Sequence, residues 1–437
     1  MRVQQLEDAE LAGRQRHASR RAEGLVLQRD DHRGQTLLTD GLTFGVEDVR
    51  YLRSESGAAA LAAVAELELT GATRVADIAA ARARFGDRAP LLVETTLLRR
   101  RAAEKLCGLG GPVPVSNWLF TDEALQQATA APVAVHRAKR LAEAGAVVHD
   151  ATCSIGTELA ALRGAGVRAV GSDLDAVRLA MARHNLGEAA VLCRADALAP
   201  VTRNAAVLVD PARRLDGRRR FRIEDYRPGL AALIDTYRDR DLVVKCSPGI
   251  DFDELRRLGF AGEIEVTSYR GSVREACLWP AGLTQPGIRR RASVLDRGEQ
   301  ITDSDPDDCG VRPAGRWIVD PDGAVVRAGL VRHYGARHGL WQLDPDIAYL
   351  SGDELPPAVR GFEVLEQLAL DERRLRRALS TLDCGALEIL VRGVRVDPDA
   401  LRRRMRLRGG RPLSVVITRL GSRAAGGATA FVCRASR

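Results

Sequence analysis

Between residues 147 and 249 the hydrophobic positions fall in short unbroken runs, each closed by an acid or a small polar residue. The first, VVHDATCSIGTE at 147–158, is an apolar run ending in Asp150, followed by four small residues, Ile155, Gly156 and a helix-like segment from Thr157. The next three are RAVGSDLD at 168–175, AAVLCRADA at 189–197 and AAVLVDPARR at 205–214, reaching Asp173, Asp196 and Asp210; LVVKCSPG at 242–249 is the fifth. These runs are apolar throughout instead of alternating, as in strands covered by helices on both faces. Segments with helical spacing separate them at 157–164 and 176–185. The pattern predicts an α/β fold with a Rossmann-like sheet. Asp150, Asp173, Asp196 and Asp210 then stand at the carboxyl ends of consecutive strands, where open sheets bind ligands. A single acid there can be no more than a helix cap; four in series point to a site. Runs at 263–268 and 274–279, joined by YRGS, predict a closing antiparallel hairpin.

Outside this region the pattern changes. Residues 1–40 lack clear periodicity and are expected to form a flexible tail. Residues 41–115 hold an alanine- and leucine-rich stretch with helical spacing, a small helical domain closed by the GLGGPVP turn at 108–114. The segment 117–144 reads as helical on both sides of Pro132, with Thr121, Gln126 and Thr129 placed to line a lid over the first strand. In 315–330, a strand, a DPDG turn and a second segment are expected. The 286–360 segment is expected to be a small α+β, ferredoxin-like piece, and 361–437 a basic α+β module. In that module LEQLALDERRLRRAL is read as helical, followed by the strand ALEILVRG, a basic helix and a terminal hairpin.

Composition sharpens this division. The chain has 437 residues, 45% of them hydrophobic and 28% charged, enough for two or three domains with real cores. Its net charge is +8, yet residues 371–437 contain 16 arginines and 6 acids, a local +10, so the rest is close to neutral. That asymmetry predicts an anionic partner for the C-terminal part. Arg402, Arg403, Arg404 and Arg406 follow a helix start at Asp397-Pro398 and are the candidate contacts. The eight cysteines are scattered and form no CxxC pair, which argues against a zinc ribbon or a disulfide framework. With no apolar run long enough for a bilayer and no signal core at the N-terminus, the expectation is a cytoplasmic protein with no membrane and no metal partner. Oligomeric state is not readable.

The series of acid-tipped strands over residues 116–281 resembles the class I S-adenosylmethionine (SAM)-dependent methyltransferases. DATCSIGTE is similar to the family's first motif, with Ser154 where its first glycine stands and Gly156 matching the second. The single glycine fits poorly with a dinucleotide fingerprint, which wants GxGxxG. The resemblance implies a seven-stranded methyltransferase core at 116–285 with SAM as cofactor. It places Asp150, Cys153, Ser154 and Gly156 beside the methionine part, Asp173 at the ribose, and Asp196 with Ala197 at the adenine. DPARR at 210–214 resembles the fourth motif of enzymes that methylate bases and amide nitrogens. By that likeness Asp210 and Pro211 hold a planar amino group, while Arg213 or Arg214 contacts a phosphate or the base edge. Ala212 and Arg213 depart from the motif, and the aromatic that stacks on a target base is missing. Cys246-Ser247-Pro248 keeps the Cys-x-Pro spacing of RNA uridine-5 enzymes, whose cysteine attacks the pyrimidine ring; a buried structural cysteine is the other reading. Lys245, one of only three lysines, is expected to shape the pocket. Residues 361–434 resemble a THUMP-like domain, which implies RNA, tRNA or rRNA. The expected function is methylation of a base of structured RNA. The alternatives are a methyltransferase for a protein amide or small molecule, and a non-catalytic RNA-binding protein with a relic cofactor fold.

Overall fold

The computed structural model describes residues 43–212, 223–421 and 427–436, and the backbone alone at 214–215 and 218–219. The tail expectation for 1–40 and the roles suggested for Arg213 and the Arg214 side chain lie outside the described residues.

Among the described residues four helices come first: α1 (Val46–Arg53), α2 (Glu55–Ala65), α3 (Arg74–Phe85) and α4 (Ala89–Lys105). Ser54 starts α2 by accepting a hydrogen bond from the Gly57 amide, and a proline opens α4, where its missing N–H costs nothing. Two more helices, α5 (Asp122–Gln127) and α6 (Ala131–Glu143), lead to the first strand. The break between them falls at residues 128–130. Pro132 was expected to divide the segment; it sits instead in the first turn of α6, the position proline tolerates.

The main sheet is built from β1 (Val148–Asp150), β2 (Ala169–Asp173), β3 (Leu192–Arg194), β4 (Ala206–Val209), β5 (Leu242–Cys246), β6 (Glu263–Tyr269), β7 (Ser272–Trp279), β8 (Arg290–Val294) and β9 (Glu299–Thr302). Its order is β9-β8-β6-β7-β5-β4-β1-β2-β3. Strands β1 to β5 are mutually parallel, and β7 runs antiparallel between β5 and β6. The apolar runs alternate between two cores. Leu208 and Val243 join the N-terminal helices, α6, α7 (Thr157–Gly164) and α8 (Ala176–Leu186) on one face. Val207, Val209 and Val244 join Tyr226, Leu230 and Leu233 on the other, the latter two from α9 (Leu230–Thr236), with Leu255 of α10 (Phe252–Arg257).

The 286–360 segment does not stand as a unit. Its first two strands extend the main sheet, β8 pairing in parallel with β6. Its later strands β10 (Trp317–Val319), β11 (Trp341–Asp344) and β12 (Ile347–Gly352) join a second sheet with β13 (Gly361–Ala369), β14 (Cys384–Arg392), β15 (Arg411–Leu420) and β16 (Gly427–Ala435). That sheet has the order β11-β12-β10-β13-β16-β15-β14. Two other expectations fail nearby. The DPDG sequence caps a helix instead of turning a hairpin: Asp322 accepts from the Ala324 amide and begins α11 (Gly323–Ala328). LEQLA lies in strand β13, because pairing of residues 366–369 with β16 overrides its helical propensity. Only from Glu372 does the helix α13 (Glu372–Thr381) begin, after α12 (Val331–Arg337); α14 (Pro398–Met405) is the basic helix.

Candidate active site

The strand tips of β1, β2, β4 and β5 open onto one cavity of about 480 Å³, covered by the segment 124–130. Cys153, Ser154, Asp173, Asp196, Ala197, Asp210 and Pro211 all line it. The turn after β1 is tied to β2: Ser154, in the left-handed region at φ 49°, donates its amide to Asp173 Oδ2 at 2.8 Å. Asp173 Oδ1 meanwhile accepts from the Asp175 amide. Asp196 accepts from the Leu198 amide, and Tyr237 donates its hydroxyl to the Ala197 carbonyl. The turn that carries these acids is therefore held before any ligand enters.

Two expected residues stand back from the cavity. Gly156 is the left-handed N-cap of α7 at φ 91°, and a Cβ there would lie 2.7 Å from Leu186 Cδ1, so the glycine serves a close approach between α7 and α8. Asp150 is buried behind the wall. Its Oδ1 accepts from the Thr152 amide, and its Oδ2 has no hydrogen-bond partner. Burial, and then the neighbouring Glu158, push the Asp150 carboxyl up to about 8.

Glu158, Arg137 and Glu275 escaped the sequence reading. They make a buried network at the cavity wall, which Glu158 and Glu275 line while Arg137 stands behind it. Lys245 Nζ donates to Asp210 Oδ2 at 2.6 Å, to Glu158 Oε1 at 3.1 Å and to Thr129 Oγ1 at 2.5 Å. Arg137, fully buried on α6, bridges Glu158 and Glu275. Burial alone would lower Lys245; Asp210 and Glu158 outweigh it and hold the ammonium above its usual range. Burial would raise Glu158, but Arg137 and Lys245 bring it down to about 2. The only sequence signal for this network was the rarity of lysine. Glu158 reads as an ordinary acid in a first helical turn, and Arg137 as one arginine among many. The expected lid residues Gln126 and Thr129 do line the cavity, and Cys246 lies in its wall, 1% exposed.

Among the expected C-terminal contacts, Arg402 and Arg404 are engaged within the fold, Arg402 with the Leu387 carbonyl and Asp399, and Arg404 with Glu372. Arg403 and Arg406 are exposed and make no ion pair among the described residues.

This geometry fits a cationic nucleotide-like ligand. The volume lies in the range of small-molecule sites, and Asp173 and Asp196, which make no ion pair among the described residues, line its wall with the unpartnered Asp150 oxygen behind it. The chain belongs to the S-adenosylmethionine-dependent methyltransferases, and its cofactor is S-adenosylmethionine. Over 359 residues it is 77% identical to uncharacterized S-adenosylmethionine-dependent methyltransferases of Mycobacterium tuberculosis strains CDC 1551 and H37Rv; the match covers 82% of this chain and 100% of each relative. A crystal structure from Porphyromonas gingivalis W83, described as that of a methyltransferase, shares the fold with a TM-score of 0.63 at 19% identity, over 80% of this chain and 91% of the other. Residues 359–435 match the family model described as THUMP domain-like. Among the described residues no helix is long and apolar enough to cross a membrane, and no cluster of His, Cys, Asp or Glu is poised to hold a metal ion.

Proposed function

We propose that the cavity methylates a base nitrogen of structured RNA, tRNA or rRNA. The observation that carries this reading is the Asp210 carboxylate, fixed by Lys245 in the same cavity as Asp173 and Asp196. Cys153 and Ser154 offer the turn to the methionine part, Asp173 takes the ribose hydroxyls, and Asp196 with Ala197 takes the adenine. When bound, the cofactor supplies an electrophilic methyl group on a sulfonium. Asp210 accepts a hydrogen bond from the amino group of the acceptor and so aims its lone pair; Pro211 adds rigidity and no competing N–H. Lys245 holds Asp210 in one orientation through its 2.6 Å hydrogen bond. The nitrogen can shed its proton after transfer, so no strong base is required. Arg403 and Arg406, exposed on the module that carries the local excess of arginine, contact phosphates, which positions the RNA without specifying the base.

The test is mass spectrometry of nucleosides from RNA of cells with and without the protein, and with Asp210→Ala in its place. A methylated nucleoside lost in both deficient strains supports the reading and names the base and position. An unchanged profile overturns it in favour of a protein amide or small-molecule acceptor.

A further inference from the structure

Basic side chains also line the cavity, and two of them, Arg227 and Arg274, are exposed to solvent at its opening. Lys105 at the end of α4, Arg227 in the loop before α9 and Arg274 near the start of β7 all line it. Each is held by backbone carbonyls. Lys105 Nζ donates to the Leu125 and Gln126 carbonyls at 2.7 and 2.9 Å. Arg227 Nη1 donates to those of Glu224 and Tyr226 at 2.8 Å, and Arg274 donates through Nε and Nη2 to that of Tyr269 at 3.2 and 3.1 Å. Among the described residues none of the three is paired with a carboxylate.

Their neighbours differ. Arg101 is paired with Asp122 and Arg270 with Glu104. Carbonyl bonds fix a cationic head group without neutralising it, and they leave donors over: an ammonium has three N–H groups and a guanidinium five. Lys105 and Arg274 are also close enough to feel each other. Burial first, then Lys245, Arg101 and Arg274, lower the Lys105 pKa to about 8. Like charges held together without counter-charges, at the opening of a cavity, make a preorganised receptor for an oxyanion. The fork of a free guanidinium edge suits phosphate oxygens in particular.

We propose that Lys105 and Arg274 form a phosphate subsite at the cavity mouth, which holds a phosphate of the methyl acceptor while the target atom reaches Asp210. Arg227 adds charge to the same rim. The subsite rests on reading this cavity as the methyl-transfer site, and it extends the proposed function by stating where an acceptor phosphate is gripped. It also gives the N-terminal helices a part in binding the acceptor, because Lys105 belongs to α4.

The experiment is calorimetry on the full chain with two probes. S-adenosylhomocysteine is titrated first, and inorganic pyrophosphate is then titrated into the complex. For the Lys105→Met/Arg274→Met double variant, the expected result is S-adenosylhomocysteine affinity within about twofold of wild type and pyrophosphate affinity lower by about tenfold or more, the scale of losing charge-assisted hydrogen bonds. Arg274→Lys, which keeps the charge, should lose less. Equal pyrophosphate affinity in wild type and double variant overturns the subsite. So does a parallel fall for S-adenosylhomocysteine, which would mean that the cations hold the cofactor's own carboxylate or the fold. The two proposals fail separately: an unchanged RNA nucleoside profile leaves this subsite standing, and unchanged pyrophosphate binding leaves the RNA reading standing.

Discussion

Lys245→Met is the most informative perturbation of the buried network. The methionine fills most of the lysine's volume, so the change is chiefly one of charge. Glu158 keeps Arg137, but Asp210 loses its ammonium partner and Glu158 loses its second cation. Removing one member of a buried ion pair costs about 3–5 kcal/mol. The Asp210 side chain is 33% exposed, so water screens its share of the loss, and the deeper contact with Glu158, 10% exposed, dominates. Taking the lower end, about 3 kcal/mol at roughly 2–4 °C per kcal/mol for a domain of this size gives a fall in melting temperature of about 6–12 °C. Circular dichroism melts of wild type and variant at neutral pH measure it. Adding Glu158→Gln, which removes one carboxylate left short of charge, should cost less than the sum of the two single changes, with a coupling of about 1–3 kcal/mol. A fall below about 2 °C for Lys245→Met would show that these charges remain hydrated and would refute the desolvation reasoning.

Three further outcomes are expected. Asp150 holds its proton in the folded protein up to about 8, against about 4 when unfolded, so its contribution to stability is full below the unfolded value and lost as pH rises through the folded one; melting temperature against pH should therefore decline more across that window for wild type than for Asp150→Asn, and parallel curves would contradict it. Gly156→Ala combines a positive φ with a clash against Leu186 and should cost about 1–3 kcal/mol in urea unfolding, while an unchanged midpoint would remove the packing role given to this glycine. Arg403→Ala and Arg406→Ala should each lower the slope of log affinity for total RNA against log salt by about 1 and leave the melting temperature unchanged, whereas Arg404→Ala, whose guanidinium is paired with Glu372, should change the slope less.

The acid-tipped wall of the cavity was legible because it is local. Each acid follows its own apolar run, so Asp173, Asp196 and Asp210 could be placed at strand tips without knowing how the strands pair. What was not legible depends on distant partners. Lys245 meets Glu158 and Thr129 across 87 and 116 residues, and no spacing rule connects them. Strand β13 was misread because Leu, Glu, Gln and Ala favour helix in isolation, and only pairing with β16, about 60 residues on, decides otherwise. The 286–360 boundary failed for a related reason. Strand β8 pairs back with β6 and β10 pairs forward with β12 and β13, so the segment is divided between two sheets, and a change in local pattern was mistaken for a change of domain.

One consequence follows from the apolar layer shared by the two sheets. Val325, Leu330, Tyr334 and Leu350 are buried in the same core as Val266 and Ala292, while β10 and β12 continue hydrogen bond by hydrogen bond into the sheet that carries α14. The arginine helix and the cavity are thereby carried on one continuous framework. For the RNA acceptor proposed above, that framework would act as a caliper, its reach from helix to cavity limiting which nucleotide can be modified.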